Sequence, residues 1–236
     1  MLGYLFFALG IITAVFFVIK RDSKVTTNIV YAKSLASIGF VLSAVFFYAE
    51  SKDCTGYLGA FTVGGAIFGM LGDIFLDLKF SVLNDSKRCT NYGFYSFLAG
   101  HLFYCIAMIS AYGMGLVNYI CVFAGVSLGI ISVFFGEKIM KLNYGAHKKE
   151  TLLYSVFLAS ALGLACSYTL TEHYTLHSIL LNIGFLLFVI SDVFLAVIYF
   201  SNDEKVRTKR SLIVLNHITY YAAQYIIALS LIFYRG

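Results

Sequence analysis

The residues with the means to do chemistry come in two matched sets. GDIFLDLKF, residues 72–80, places Asp73 and Asp77 four positions apart among Ile, Phe and Leu. SDVFLAVIYF, residues 191–200, keeps the first acid as Asp192 and lacks the second. Each set continues with a histidine and a tyrosine, His101-Leu-Phe-Tyr104 after the first and His217-Ile-Thr-Tyr220 after the second. Two carboxyl groups on different helices suit general acid–base catalysis, because one can hold a proton while its partner is ionised. Glycosidases use such a pair to break bonds through an oxocarbenium-like state. A vinyl ether is another bond of this kind: protonating its carbon gives an oxocarbenium, water adds, and the hemiacetal collapses to an aldehyde. An ester hydrolase would instead draw on an activated Ser or Cys.

Other chemistries remain open on the same residues. Asp73, Asp192, His101 and His217 have the number and types of a zinc-ligand set, so a metal-dependent hydrolase is one alternative. A lipid or ion-coupled transporter is the non-enzymatic one, since buried acids in repeated segments also mark transport paths. An intramembrane aspartyl protease fits less well. Gly69-Met-Leu-Gly72-Asp73 is not the GxGD that such enzymes use, and their Pro-containing second motif cannot exist in a Pro-free chain.

The expected substrate-contacting set is Lys33, Asp77, His101, Tyr104, His217, Tyr220 and Gln224. Lys33 reads first as a snorkelled ammonium near a span end and second as a phosphate ligand. Asp77 reads equally as a site residue or as a solvated helix-end charge beside Lys79. Tyr220 and Gln224 stand one turn apart, facing a cavity or bonding another helix. His173 and His177 have HxxxH spacing but flank a loop, and they read as an ordinary pair rather than a metal site. Glu137, next to Lys138 and Lys141, reads as a surface charge.

The elements that must position these groups follow from composition. Apolar residues make up 60% of the 236 and charged residues 12%, with a mean hydropathy of +0.85. A soluble domain carries about 25% charged residues, so this chain cannot cover its surface with charge. Apolar runs near 20 residues are long enough to cross the hydrocarbon as helices. Eight spans are predicted, at 2–19, 30–49, 58–78, 92–112, 114–135, 151–170, 176–199 and 211–233. The first reads as a retained span, since no basic leader or small-residue cleavage site precedes it. The link at 112–115, Tyr-Gly-Met-Gly, divides an apolar stretch too long for one crossing. The expected fold is an all-α polytopic transmembrane bundle forming a single domain over 1–236.

Lys and Arg gather in the odd loops: Lys20, Arg21 and Lys24; Lys79, Lys87 and Arg88; Lys138, Lys141, Lys148 and Lys149; Lys205, Arg207, Lys209 and Arg210. The even loops hold only Lys52. The positive-inside rule then makes the odd loops cytoplasmic and puts both termini outside. The net charge of +5 belongs to these loops and does not indicate nucleic-acid binding. Cysteines 54, 89, 105, 121 and 166 show no pairing motif and read as small buried hydrophobes.

Within this frame the Asp and His segments match the third span with the seventh and the fourth with the eighth. Halves of four helices keep the same membrane orientation, so this would be a parallel four-plus-four repeat; chance likeness between Phe- and Leu-rich helices is the alternative. Asp73 and Asp192 should lie about 8–12 Å inside the basic end, with His101 and His217 at comparable depth. Burying a carboxylate there costs at least about 2.5–3.5 kcal/mol, so each should face a cavity or a partner.

Over nearly its full length the chain resembles the YhhN-like lysoplasmalogenases, integral membrane hydrolases, and its wording is similar to bacterial members. The resemblance rests on Lys33-Ser34-Leu35, GMLGDIFLDL at 69–78, FLAGHLFY at 97–104, ISDVFLAV at 190–197 and TYYAAQYIIA at 219–228. The chain departs from the pattern at Ser34, where Pro is usual, which bears on local helix geometry. The resemblance implies hydrolysis of the alkenyl ether of a lysophospholipid, lysoplasmalogen, to a fatty aldehyde and glycerophosphoethanolamine or glycerophosphocholine. It implies Asp73 and Asp192 as the catalytic acids. No metal and no other cofactor is expected.

Overall fold

A computed structural model describes residues 1–23, 25–54, 56–78, 86–172 and 174–235, with Ser86 and Lys87 as backbone only. Lys24, Lys79, His173 and the Lys87 side chain, all weighed above, lie outside the described residues. The long helices are α1 Leu2–Lys20, α2 Thr27–Glu50, α3 Tyr57–Leu78, α4 Ser86–Tyr112, α5 Leu116–Lys138, α6 Lys148–Thr171 and α7 Leu176–Phe200. A short α8, Glu204–Arg207, precedes α9, Arg210–Ser230. Eight of these helices are long and apolar enough to cross a membrane. The chain is a multi-pass membrane protein of the expected all-α class.

The spans match the predicted ones with small extensions into the loops. Gly113 makes the break between α4 and α5 by adopting φ +71°, where a Cβ would be strained. Its carbonyl accepts a hydrogen bond of 2.6 Å from Tyr168 on α6, which fixes the turn.

Packing follows a pattern that recurs after four spans. The closest neighbours are α1 with α2, α3 with α4, α5 with α6 and α7 with α9, giving four hairpins. The hairpins join through α2–α3 and α6–α7, and the halves meet through α4–α6 and α2–α9. A shift by four spans exchanges those last two contacts.

Within lipid, helices associate by close van der Waals fit more than by expulsion of water, so small residues concentrate at their crossings. On α5 a Cβ at Gly129 would come within 2.7 Å of the Ser155 carbonyl oxygen on α6. On α3 a Cβ at Gly69 would strike the Gln224 amide nitrogen at 2.6 Å. The first fit seats α5 on α6; the second lets a polar side chain of α9 reach the backbone of α3.

The basic end is organised by its loops. Leu142 bridges Ser201, Asn143 N–H donates to the Phe200 carbonyl at 2.8 Å, and the Asn202 amide donates to the Lys141 carbonyl at 3.0 Å. The fifth and seventh loops are thereby tied over the ends of α5, α6 and α7. All five cysteines are free, and Cys54, Cys89 and Cys105 are buried.

Candidate active site

Helix periodicity puts Lys33 and Ser37 on one face of α2, and Asp73 and Asp77 on one face of α3. These faces meet. Lys33 Nζ lies 3.3 Å from Asp73 Oδ1 and 3.4 Å from Asp77 Oδ1. Arg21, just past the end of α1, brings Nη2 to 3.9 Å from Asp77 Oδ1 and donates from Nε to His217 Nε2 at 3.3 Å. Two cations thus stand against two carboxylates, and the cluster is neutral with both acids ionised. Its members are buried: Asp77 is 2% exposed, Asp73 3% and Lys33 4%. Lys33 therefore does not snorkel, and Asp77 is not a solvated helix-end charge. A nearby opposite charge holds each of them inside, where an unpaired ion would be strongly unfavourable.

Asp73 has neutral partners as well. Ser37 Oγ donates to its Oδ2 at 2.6 Å and the Tyr220 hydroxyl donates to the same atom at 2.8 Å. Behind Tyr220, the Gln224 amide donates to the Tyr220 hydroxyl at 3.4 Å, and Tyr104 donates to Gln224 Oε1 at 2.9 Å. Of the expected residues, Asp73, Asp77, Lys33, Tyr104, Tyr220 and Gln224 thus join in one network, and His217 is attached through Arg21.

Asp192 on α7 belongs to a second set. It is only partly buried and accepts a short hydrogen bond from the Tyr154 hydroxyl of α6. His101 Nε2 lies 3.4 Å from the same hydroxyl. Among the described residues, no Lys or Arg pairs with Asp192. Asn216 of α9 bonds the carbonyl and hydroxyl of Ser191 at 2.9 and 3.0 Å, which holds α7 beside α9 next to Asp192. The Phe188 ring sits between the sets, 4.7 Å from the His101 ring and 5.4 Å from that of Tyr220.

Both acids line one cavity of about 660 Å³ at the basic end of the bundle. Lys33, His217 and Tyr220 reach it from the core, and Arg21, His147 and Arg207 from the loop side. Tyr144, in the loop between α5 and α6, also lines it. Burial, then the Glu137 carboxylate, pushes the Tyr144 hydroxyl above its ordinary range and keeps it neutral.

The residues weighed as metal ligands do not assemble. His101 is turned to Tyr154 and His217 to Arg21, and no group of three His, Cys, Asp or Glu among the described residues lies close enough to hold an ion. His177 is buried in α7 with Nδ1 2.8 Å from the Ser230 carbonyl, so it fastens α7 to α9. Glu137 pairs with Lys148 at 2.7 Å at the surface. A Gly-x-Ser-x-Gly spacing does occur at Gly125-Val-Ser127-Leu-Gly129, which a nucleophile elbow would share. It lies within continuous helix, and Ser127 donates back to the Phe123 carbonyl at 2.9 Å, so no strained turn presents the hydroxyl.

Sequence reasoning missed Arg21, Ser37 and Tyr154. Ser37 carried a signal, since it stands four residues after Lys33 on the same face. Arg21 was indistinguishable from the other loop cations, and Tyr154 from the rest of the chain's 18 tyrosines.

No curated protein and no solved structure matches the chain. The pattern of the YhhN family matches residues 30–231, taking in all but the first turn of α2, the helices from α3 to α9 and every site residue except Arg21. With that match over most of its length, the chain belongs to the YhhN family.

Proposed function

We propose that this protein hydrolyses the vinyl ether bond of lysoplasmalogens, releasing a fatty aldehyde and a glycerophosphodiester. The observation that carries the reading is the meeting of two carboxyl groups from different helices in one cavity, which also carries Lys33 and Arg21 within and Arg207 beside Glu204 on its loop side. One acid gives a proton to the vinyl carbon and the other takes a proton from the attacking water. Arg207 and His147 at the mouth suit the phosphate of a single-chain lipid, while Lys33 and Arg21 balance the inner acids. Family membership is consistent with a hydrolase of this kind.

The test is turnover by purified protein in detergent, without any ion gradient, read as aldehyde release. The vinyl ether lysolipid should be hydrolysed, whereas the ester-linked lysolipid, which has no carbon to accept the proton, should not. Equal hydrolysis of both forms would defeat the chemistry, and binding without turnover would favour a carrier.

The cavity opens at the end bearing the basic loops, so the positive-inside rule assigns it to the cytoplasmic side with both termini outside. In a cysteine-free background, Asn202→Cys should be labelled only from within and Tyr174→Cys only from without. The opposite pattern would overturn the orientation.

A further inference from the structure

The polar cavity is not the only space that reaches an acid. A second cavity of about 230 Å³ lies between α5, α6 and α7, walled mainly by Leu128, Leu158, Ala159, Val189, Val193 and Ala196. It shares Tyr144, Asp192, Leu195, Tyr199 and Phe200 with the polar cavity, so the two adjoin along the wall that carries Asp192. Asp73 lines only the polar one. Helices α5 and α7 each pack closely on α6 but not closely on one another, which leaves the groove a side facing the hydrocarbon. Leu128 and Val193 stand at its edges, 48% and 47% exposed.

We infer that this groove holds the hydrocarbon chain of a single-chain phospholipid, which reaches the site sideways between α5 and α7. The inference rests on the hydrolysis proposed above and deepens it. A compartment holding both basic and acidic groups, joined to an apolar one, is the complement of a phosphate-bearing head on one tail, and the junction must receive the bond between them. A larger apolar groove of about 830 Å³ between α1 and α9 touches neither acid, so it does not match that demand.

The placement divides the catalytic roles. In a vinyl ether the carbon that accepts the proton is on the chain side, and the carbon that accepts water bears the oxygen. With the chain in the groove, Asp192 faces the first carbon and Asp73, across the polar cavity, faces the water. Asp192 gives its proton to the chain-side carbon, and the π pair becomes the new C–H bond. Water then bonds the oxocarbenium carbon and passes a proton to the Asp73 carboxylate. The hemiacetal hydroxyl returns a proton to Asp192, Asp73 protonates the glyceryl oxygen, and the C–O bond breaks. Aldehyde and alcohol leave, and both acids regain their starting forms.

The probe is an ester-linked lysophosphoethanolamine with a diazirine midway along its chain, photolysed on the whole protein in detergent and mapped by mass spectrometry. Adducts are expected on groove residues such as Leu128, Leu158 and Val193, and excess unlabelled lysolipid should suppress them. Adducts confined to the α1–α9 groove, or spread evenly over the lipid-facing surface, would overturn the inference. Aldehyde release, measured in parallel, separates the two readings. Release without groove adducts removes the groove and leaves the hydrolysis; suppressible groove adducts without release do the reverse. A variant, Ala196→Phe, fills the groove next to the junction. It should lower kcat/KM for a long-chain substrate at least about 10-fold more than for a short-chain analogue, and an unchanged ratio would also overturn the inference.

Discussion

Asp73 and Asp192 hold equivalent places in the third and seventh spans, yet their neighbours differ in kind. Around Asp73 the first half supplies Lys33, Ser37 and the second acid Asp77, and Arg21 completes the charge balance. Around Asp192 the second half supplies one tyrosine hydroxyl and the apolar walls of a groove. The position matching Asp77 is Ala196, which belongs to that groove. One framework has therefore been given a charged, self-compensating side and a side where a single neutral partner stands beside an apolar groove. The order of helix pairing, which recurs after four spans, sets the two groups in matching spans; the side chains one turn away decide what each can do.

The contrast is broken most severely at Lys33. Lys33→Met leaves Asp73 and Asp77 buried with only Arg21 nearby, and removing one partner from a buried ion pair typically costs about 3–5 kcal/mol. Thermal unfolding in detergent should show a large fall in Tm, and turnover should fall with it, because Asp73 itself is disturbed. Adding Asp77→Asn should recover a good part of the stability. Wild-type stability in Lys33→Met would mean the cluster does not hold the first half together.

Next in size is the loss of either acid. Asp73→Asn and Asp192→Asn each keep the side-chain volume and remove a proton donor or acceptor, so kcat should fall by at least about 10²-fold. The double variant should fall little further than either single one, because the proposed hydrolysis has the acids act as a unit. A folded single variant with near-normal turnover removes that acid from the mechanism.

Much of this arrangement could be read before any coordinates. Apolar length and loop charge yielded eight spans, because a membrane restricts the chain to helices that satisfy their own backbone. Burial cost picked out Asp73 and Asp192, because nothing but a partner or a cavity explains an acid at that depth. Lys33 was misread for a physical reason: a long side chain near a span end has two low-energy options, the interface or a buried anion, and sequence position alone does not choose. Tyr154 was illegible because one phenol in an apolar helix looks the same whether it faces lipid or a carboxyl group. Asp77 stayed ambiguous until α2 was seen to lie against α3.

The smallest expected effects compare two single hydroxyls. Tyr154→Phe and Tyr220→Phe each remove one oxygen from a buried ring, and each ring keeps its aromatic neighbours: Phe97 lies 6.4 Å from Tyr154 and 6.0 Å from Tyr220. Both variants should therefore fold, and any difference between them reports on the acids. Asp73 would lose one of three partners and keep Lys33 and Ser37. Asp192 would lose the only side chain that bonds it among the described residues. Removing the one bonding partner of a group costs more than thinning a well-supplied one, even where that group is only partly buried. Tyr154→Phe should accordingly lower kcat by about 10-fold or more with little change in KM, and Tyr220→Phe by only about 3-fold. Measured side by side on one substrate, the reverse order would show that Asp192 is held by something other than Tyr154. Equal losses would show that the charged cluster gives Asp73 no protection, and the two halves would then be alike in function as well as in helix pairing.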